Sequence, residues 1–239
     1  MDFFLYFFIG VFSSYVGTTT GLAGGVILFA FLGGFFPINA VVPMHASLQI
    51  GSNASRVMFL RKQLDMKVLL LFLILVIPGA YLGSKASLIV NKELLQQALG
   101  VIIIFIAFKN LINRTTVANV NHSKWIIIFL GFLSSFFGMI IGVVGPFLAP
   151  FFLRAGFKGK GFIATKSACQ LAVQLVKTIF FITLLQFNFL DYGREILIIF
   201  FGILIGSFVG KKTLDKVSAG LLSTVTNVLL IILGGKMLL

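Results

Sequence analysis

The sequence predicts an all-α integral membrane protein with two inverted-topology repeats, each with a broken, re-entrant Gly-rich first segment followed by three transmembrane helices. Three observations carry this reading. Of 239 residues, 59% are hydrophobic and only 10% are charged, too little charge to coat a soluble domain of that length. The chain matches itself at a nearly constant offset. Its basic residues fall unequally on two faces only if the first segment of each copy doubles back.

The uncharged runs set the class. Between Asp2 and Arg56 the only titratable side chains are His45, Tyr6 and Tyr15, and Val68–Ser84 and Trp125–Leu153 carry no charge. Runs of about 18 or more apolar residues read as membrane spans. The chain opens Met-Asp-Phe-Phe without a positive n-region or a small-residue cleavage site, so its first segment is expected to be retained. Cys169 is alone, which excludes an intrachain disulfide and argues against a cysteine metal cluster. The net charge of +13 comes mostly from Lys and Arg in short loops between apolar runs, as topology demands, and does not point to nucleic acid.

The repeat appears when the sequence is slid by 121 residues: Ser13-Ser14 falls on Ser134-Ser135, Gly17 on Gly138, Gly21 on Gly142 and Gly24 on Gly145. The polar positions follow, with Gln49 on Gln170, Asn53 on Gln174 and Arg56 on Lys177. After a six-residue slip the offset is 127, and Gly79 meets Gly206, Gly83 meets Gly210 and Lys85 meets Lys212. Each copy then reads alike. A long apolar segment with central glycines (3–36, then 125–153) precedes a helix with a polar stripe (about 40–60, then about 161–182). Two plainer spans follow (68–84 and 94–112, then 195–210 and 217–238). The repeats are therefore 1–112 and 125–239, joined by the polar linker 113–124.

Charge decides what the first segment does. About 34 helical residues would reach about 50 Å, well beyond a roughly 30 Å hydrocarbon core. If each segment crosses once, the counted Lys and Arg divide eight against eight. If each doubles back they divide twelve against four, a positive-inside signal. That topology places both termini outside and the linker in the cytoplasm, and it inverts one half relative to the other.

Broken helices in inverted repeats point to a midplane binding site. Glycine breaks at Gly17–Gly25 and Gly138–Pro146 free backbone N–H groups, and helix N-termini suit an anion. The same glycines would also serve as close-packing sites between helices. His45, Gln49, Asn53 and Arg56 share a helix face, and Lys166, Gln170, Gln174 and Lys177 repeat the spacing. Gln49 and Gln170 lie deepest and suit an oxyanion. Arg56 and Lys166 lie nearer the cytoplasmic ends, where snorkelling to the interface competes with a site role. His45 could couple transport to protons, against the plainer reading of a hydrogen-bonded core histidine. All six acids (Asp2, Asp65, Glu93, Asp191, Glu195 and Asp215) fall at loops or ends, so the expected centre is uncharged and rich in amides and hydroxyls, with basic flanks. That favours a small anion over a cation. The candidate substrate-binding residues are Thr18, Thr19, Thr20, Gly21, Gly24, Gly25, His45, Gln49, Asn53, Gly142, Gly145, Gln170 and Gln174. The three threonines have no counterpart in the second half, so the first half is expected to hold an anion more tightly.

The ordered pieces Gly17-Thr-Thr-Thr-Gly21-Leu-Ala-Gly24-Gly25, Ala46-Ser47-Leu48-Gln49, Leu64-Asp65-Met66 and Pro78-Gly-Ala-Tyr-Leu-Gly83 resemble the sulfite exporter TauE/SafE family. In the second half the pieces are Gly138-Met-Ile-Ile-Gly142-Val-Val-Gly145-Pro146, Ala164-Thr165-Lys166-Ser167, Leu190-Asp191-Tyr192 and Gly202-Ile-Leu-Ile-Gly206. The family's run of three glycines is reduced here to Gly24-Gly25 and Gly145-Pro146. The resemblance implies a secondary transporter that exports sulfite or a related organosulfur anion. An enzyme fails on inventory, with no His cluster, Cys pair, paired carboxylates or nucleophile beside a base. A non-transporting assembly or structural subunit of a sulfur or metal pathway is the alternative. The expected partners are a small anion and the lipid bilayer, with protons as a candidate coupling ion and a homo-oligomer left open. No cofactor or metal is expected, and the expected location is a bacterial-type inner membrane.

Overall fold

A computed structural model describes residues 2–91, 123–154 and 156–214, with isolated positions within 97–108 and 224–238. Apart from those positions, the spans expected over 94–112 and 217–238 and the linker up to residue 122 lie outside the described residues. The helices are α1 (Asp2–Thr20), α2 (Gly24–Phe35), α3 (Ile38–Leu60), α4 (Met66–Leu73), α5 (Val76–Ala86), α6 (Lys124–Ile141), α7 (Gly145–Arg154), α8 (Gly159–Thr183) and α9 (Gly193–Thr213). Among the described residues, Phe3–Thr20, Lys124–Ile141 and Phe189–Thr213 are long and apolar enough to cross a membrane.

Both long apolar segments double back, as the charge distribution requires. The first breaks at Gly21, whose φ of 70° ends α1. The Thr20 hydroxyl donates to the Val16 carbonyl at 2.7 Å and accepts from the Leu22 N–H at 3.0 Å, sealing the turn. Helix α2 then returns along α1: Gly24 lies against Gly17 and the Ser13 carbonyl, and the Tyr6 ring meets Phe31 at 6.0 Å and Phe36 at 5.7 Å. The second segment breaks at Gly142, with φ 90°. Helix α7 returns along α6, so that Phe151 and Phe152 border the same crevice as Ile126 and Ile127.

The span expected over 68–84 differs from a plain helix. It is a bent pair, α4 and α5, at 44°. Pro78 explains the bend. It has no N–H for the Ile74 carbonyl, and its ring would clash with that carbonyl in a straight helix.

Glycines set the packing. Gly10 of α1 rests on the Ile199 carbonyl of α9, and Gly131 of α6 rests on the Phe72 carbonyl of α4. Gly206 meets the Val11 carbonyl, and Gly79 meets that of Phe132. A Cβ at any of these four would collide with backbone, so only glycine permits the approach. Each contact recurs with the halves exchanged, at the 121 and 127 offsets. The contacts also fix direction. Leu60 clusters with Phe162 and Ile163, whereas Ala46 clusters with Phe181, so α3 and α8 are antiparallel. Helices α1, α3 and α9 run one way and α5, α6 and α8 the other. Arg61, Lys62, Lys67, Lys124, Lys158, Lys160, Lys211 and Lys212 consequently gather at one end of the bundle, and Lys85 and Arg194 stand at the other.

Candidate functional site

Helices α3 and α8 carry the polar stripes and cross at the centre of the bundle. Both breaks meet them there. A small void is lined by Gly25, His45 and Gln49 from the first half and Gly145, Gln170 and Gln174 from the second, together with Arg56. Its volume is ≈ 10 Å³, room for about one water. The two amides occupy matching places: a Cβ on Gly25 would lie 3.4 Å from Gln49 Nε2, and one on Gly145 would lie 3.1 Å from Gln170 Nε2.

Six of the thirteen candidate residues therefore line one cavity, and seven do not. Gly21, Gly24 and Gly142 shape the breaks. The Thr19 and Thr20 hydroxyls donate to backbone carbonyls of α1, and Thr18 accepts from Arg56 Nε at 3.4 Å. The threonines thus serve helix termination and the arginine. Asn53 accepts from Arg56 at 3.2 Å through Oδ1.

The centre is not uncharged. Arg56, Lys166 and Lys177 are only 3%, 2% and 0% exposed, so none of them snorkels. Arg56 donates to Ser52 Oγ at 2.6 Å as well as to Asn53 and Thr18. Lys166 of α8 donates to the Gly21 carbonyl at the end of α1, and to Gln170 Oε1 at 3.2 Å. Lys177 donates to the Gly142 carbonyl at 3.0 Å. Among the described residues no carboxylate pairs with any of the three. Asp65 caps α4 by accepting from the Val68 N–H, and Asp191 accepts from Asn188. Burying an ion costs several kcal/mol, and among the described residues these three basic groups are met only by neutral acceptors. The polar atoms Asn53 Nδ2 and Gln174 Oε1 are buried nearby without a partner. Sequence spacing did contain a signal for one of the lysines: Arg56 and Lys177 align at the repeat offset, so a basic residue recurs at that position of both stripes.

A wider vestibule of ≈ 480 Å³ reaches toward this centre from the Lys85–Arg194 end, past Asn39, Ser87 and Asn188. Phe29 and Ile141 line its inner limit. The Phe29 ring stands edge-on to His45 at 5.3 Å and against Gly142. His45 Nε2 donates to the Gly25 carbonyl at 2.9 Å, which steadies the start of α2.

A multi-pass helical bundle with two broken helices meeting at a buried cationic centre is the architecture of a membrane transporter. The sulfite exporter TauE/SafE family matches residues 6–237, and the chain belongs to that family of transporters rather than enzymes. Comparison with curated proteins and with solved structures finds no match.

Proposed function

We propose that the chain is a secondary transporter that exports sulfite or a related sulfur oxyanion, held between the two glycine breaks beside Gln49 and Gln170. The observation that carries this reading is the convergence of both breaks, both amides and Arg56 on one carboxylate-free cavity. Helix geometry adds donors there. The N–H groups of Gly24, Gly25 and Val26 begin α2 with no preceding turn of that helix to accept them. In α7 Pro146 removes one such donor, so the first half offers more. The tighter first-half grip expected from the threonines thus comes from backbone.

The test replaces Gln49 and Gln170 singly with Leu, which keeps bulk and removes the amide. Sulfite affinity in proteoliposomes is expected to weaken by about 1–3 kcal/mol per lost partner, with the fold intact. Unchanged affinity and flux in both variants would remove this site. A wild-type protein that folds but carries no sulfur oxyanion would return the chain to a non-transporting membrane subunit.

The halves are read as inverted repeats, 1–112 and 125–239, about an axis in the membrane plane. The support is the opposed helix directions and the glycine contacts repeated with the halves exchanged. The basic end is assigned to the cytoplasm, with the 113–124 linker there and both termini outside. In a Cys169→Ser background, Leu190→Cys is expected to react with an impermeant thiol reagent added to intact cells, and Gln63→Cys to stay silent. The reverse pattern would invert the orientation.

A further inference from the structure

Lys166 belongs to the second half, yet its ammonium holds the first half's break. It donates to the carbonyl of Gly21, the positive-φ residue where α1 stops. Its second acceptor is Gln170 Oε1, on the cavity wall. It also stands 3.8 Å from the point a Cβ on Gly145 would occupy, so it borders the void from the side. An ammonium has three N–H groups, and both acceptors here are neutral. Arg56 is near enough to repel it.

The void of ≈ 10 Å³ is smaller than any sulfur oxyanion, so binding requires its walls to part. Leu22 and Gly25 form the first-break wall, and Lys166 is the cation that ties this break to the opposite repeat. An oxyanion is a stronger partner for an ammonium than a neutral carbonyl, because both members of the bond are then charged. An arriving anion and the Gly21 carbonyl therefore compete for the same N–H groups. The other buried cations cannot do this. Lys177 holds the Gly142 carbonyl within its own repeat, and Arg56 is tied to Thr18, Ser52 and Asn53 of its own repeat.

We propose that Lys166 is a substrate-binding residue that also tethers the first break: its ammonium holds the Gly21 carbonyl until an anion takes it. Substrate binding is thereby coupled to loosening of α1 from α8. The inference rests on the anion reading above.

The experiment places a fluorotyrosine reporter at Tyr15, which packs on Ala23 of the first break outside the cavity lining, and follows its ¹⁹F resonance with and without sulfite. The parent protein is expected to shift on adding sulfite. Lys166→Met is expected to show the shifted position already in the empty state, with KM for sulfite flux up about tenfold from the lost charge-assisted bond. Lys166→Arg restores the parent's response. If Lys166 is only a structural pin, Lys166→Met lowers thermal stability while its resonance and sulfite response match the parent, and the tether is overturned. A parent resonance that ignores sulfite in protein that transports it also overturns the tether and leaves the anion reading standing. Vesicles that carry no sulfite overturn that reading and the tether with it.

Discussion

Replacing Arg56 by Met is expected to reduce sulfite flux at sub-saturating concentration by about a hundredfold, equivalent to ~3 kcal/mol, because a desolvated charge-assisted contact disappears together with its anchors. Arg56 lines the cavity and is 3% exposed. Its guanidinium is held from three sides, by Thr18 of α1 and by Ser52 and Asn53 of α3. Ser52 in turn meets Ser14 at 3.1 Å, and Ser14 meets Ser207 of α9 at 2.6 Å. The charge is therefore fixed to three helices before any ligand arrives. Gly17 makes room for it, since a Cβ there would strike the guanidinium. Met keeps the unbranched stem, is shorter, and loses every donor. Lys should recover part of the flux, because it restores the charge as a point but not the planar set of donors. Initial rates in proteoliposomes measure the effect, and size-exclusion behaviour in detergent checks the fold. Wild-type flux in Arg56→Met would remove the guanidinium from the site.

Such a residue shows what the sequence could and could not convey. Composition and uncharged runs are properties of one segment at a time, so the membrane class and the breaks at Gly21 and Gly142 were legible. The doubling back was legible too, because the distribution of Lys and Arg responds to which face each loop occupies. Depth was not. Lys166 lies only seven positions into α8, which starts at Gly159, and taken alone that helix puts it near an interface. It is buried because α1 stops at mid-bundle and presents the Gly21 carbonyl to it, a fact about a neighbouring helix. The threonines failed in the opposite way. Their hydroxyls suggested ligands, but a chain that turns inside a membrane must satisfy its own backbone first, and Thr20 does so at Leu22. Pro78 announced a kink that hydropathy averaged over 68–84 does not register.

The break at Gly142 carries the other large expected effect. Its φ of 90° lies where an L side chain is strained, and a Cβ there would run into the Phe29 ring. Gly142→Ala is expected to cost about 1–2 kcal/mol for the backbone and about 1–3 kcal/mol for displacing a packed ring. Phe29 lines the vestibule and leans on His45, so the strain falls on the vestibule side of the cavity. Gly21→Ala is expected to cost less. Its φ is 70°, and a Cβ there would meet Ile163 Cγ1 at 2.9 Å and the Phe162 ring at 3.0 Å, a milder overlap than the 2.4 Å approach to Phe29 at Gly142. Gly33→Ala is the control, because nothing lies within 4 Å and it sits inside α2, where Ala is favoured by about 0.5–1 kcal/mol. Melting temperatures in detergent should rank Gly33→Ala at or above the parent, then Gly21→Ala, then Gly142→Ala. Pairing Gly142→Ala with Phe29→Leu separates the two contributions: the smaller side chain should recover the packing part and leave the backbone part. If Gly142→Ala melts with the parent, the backbone there can be held by an ordinary residue, and the second break owes its shape to the Lys177–Gly142 bond alone.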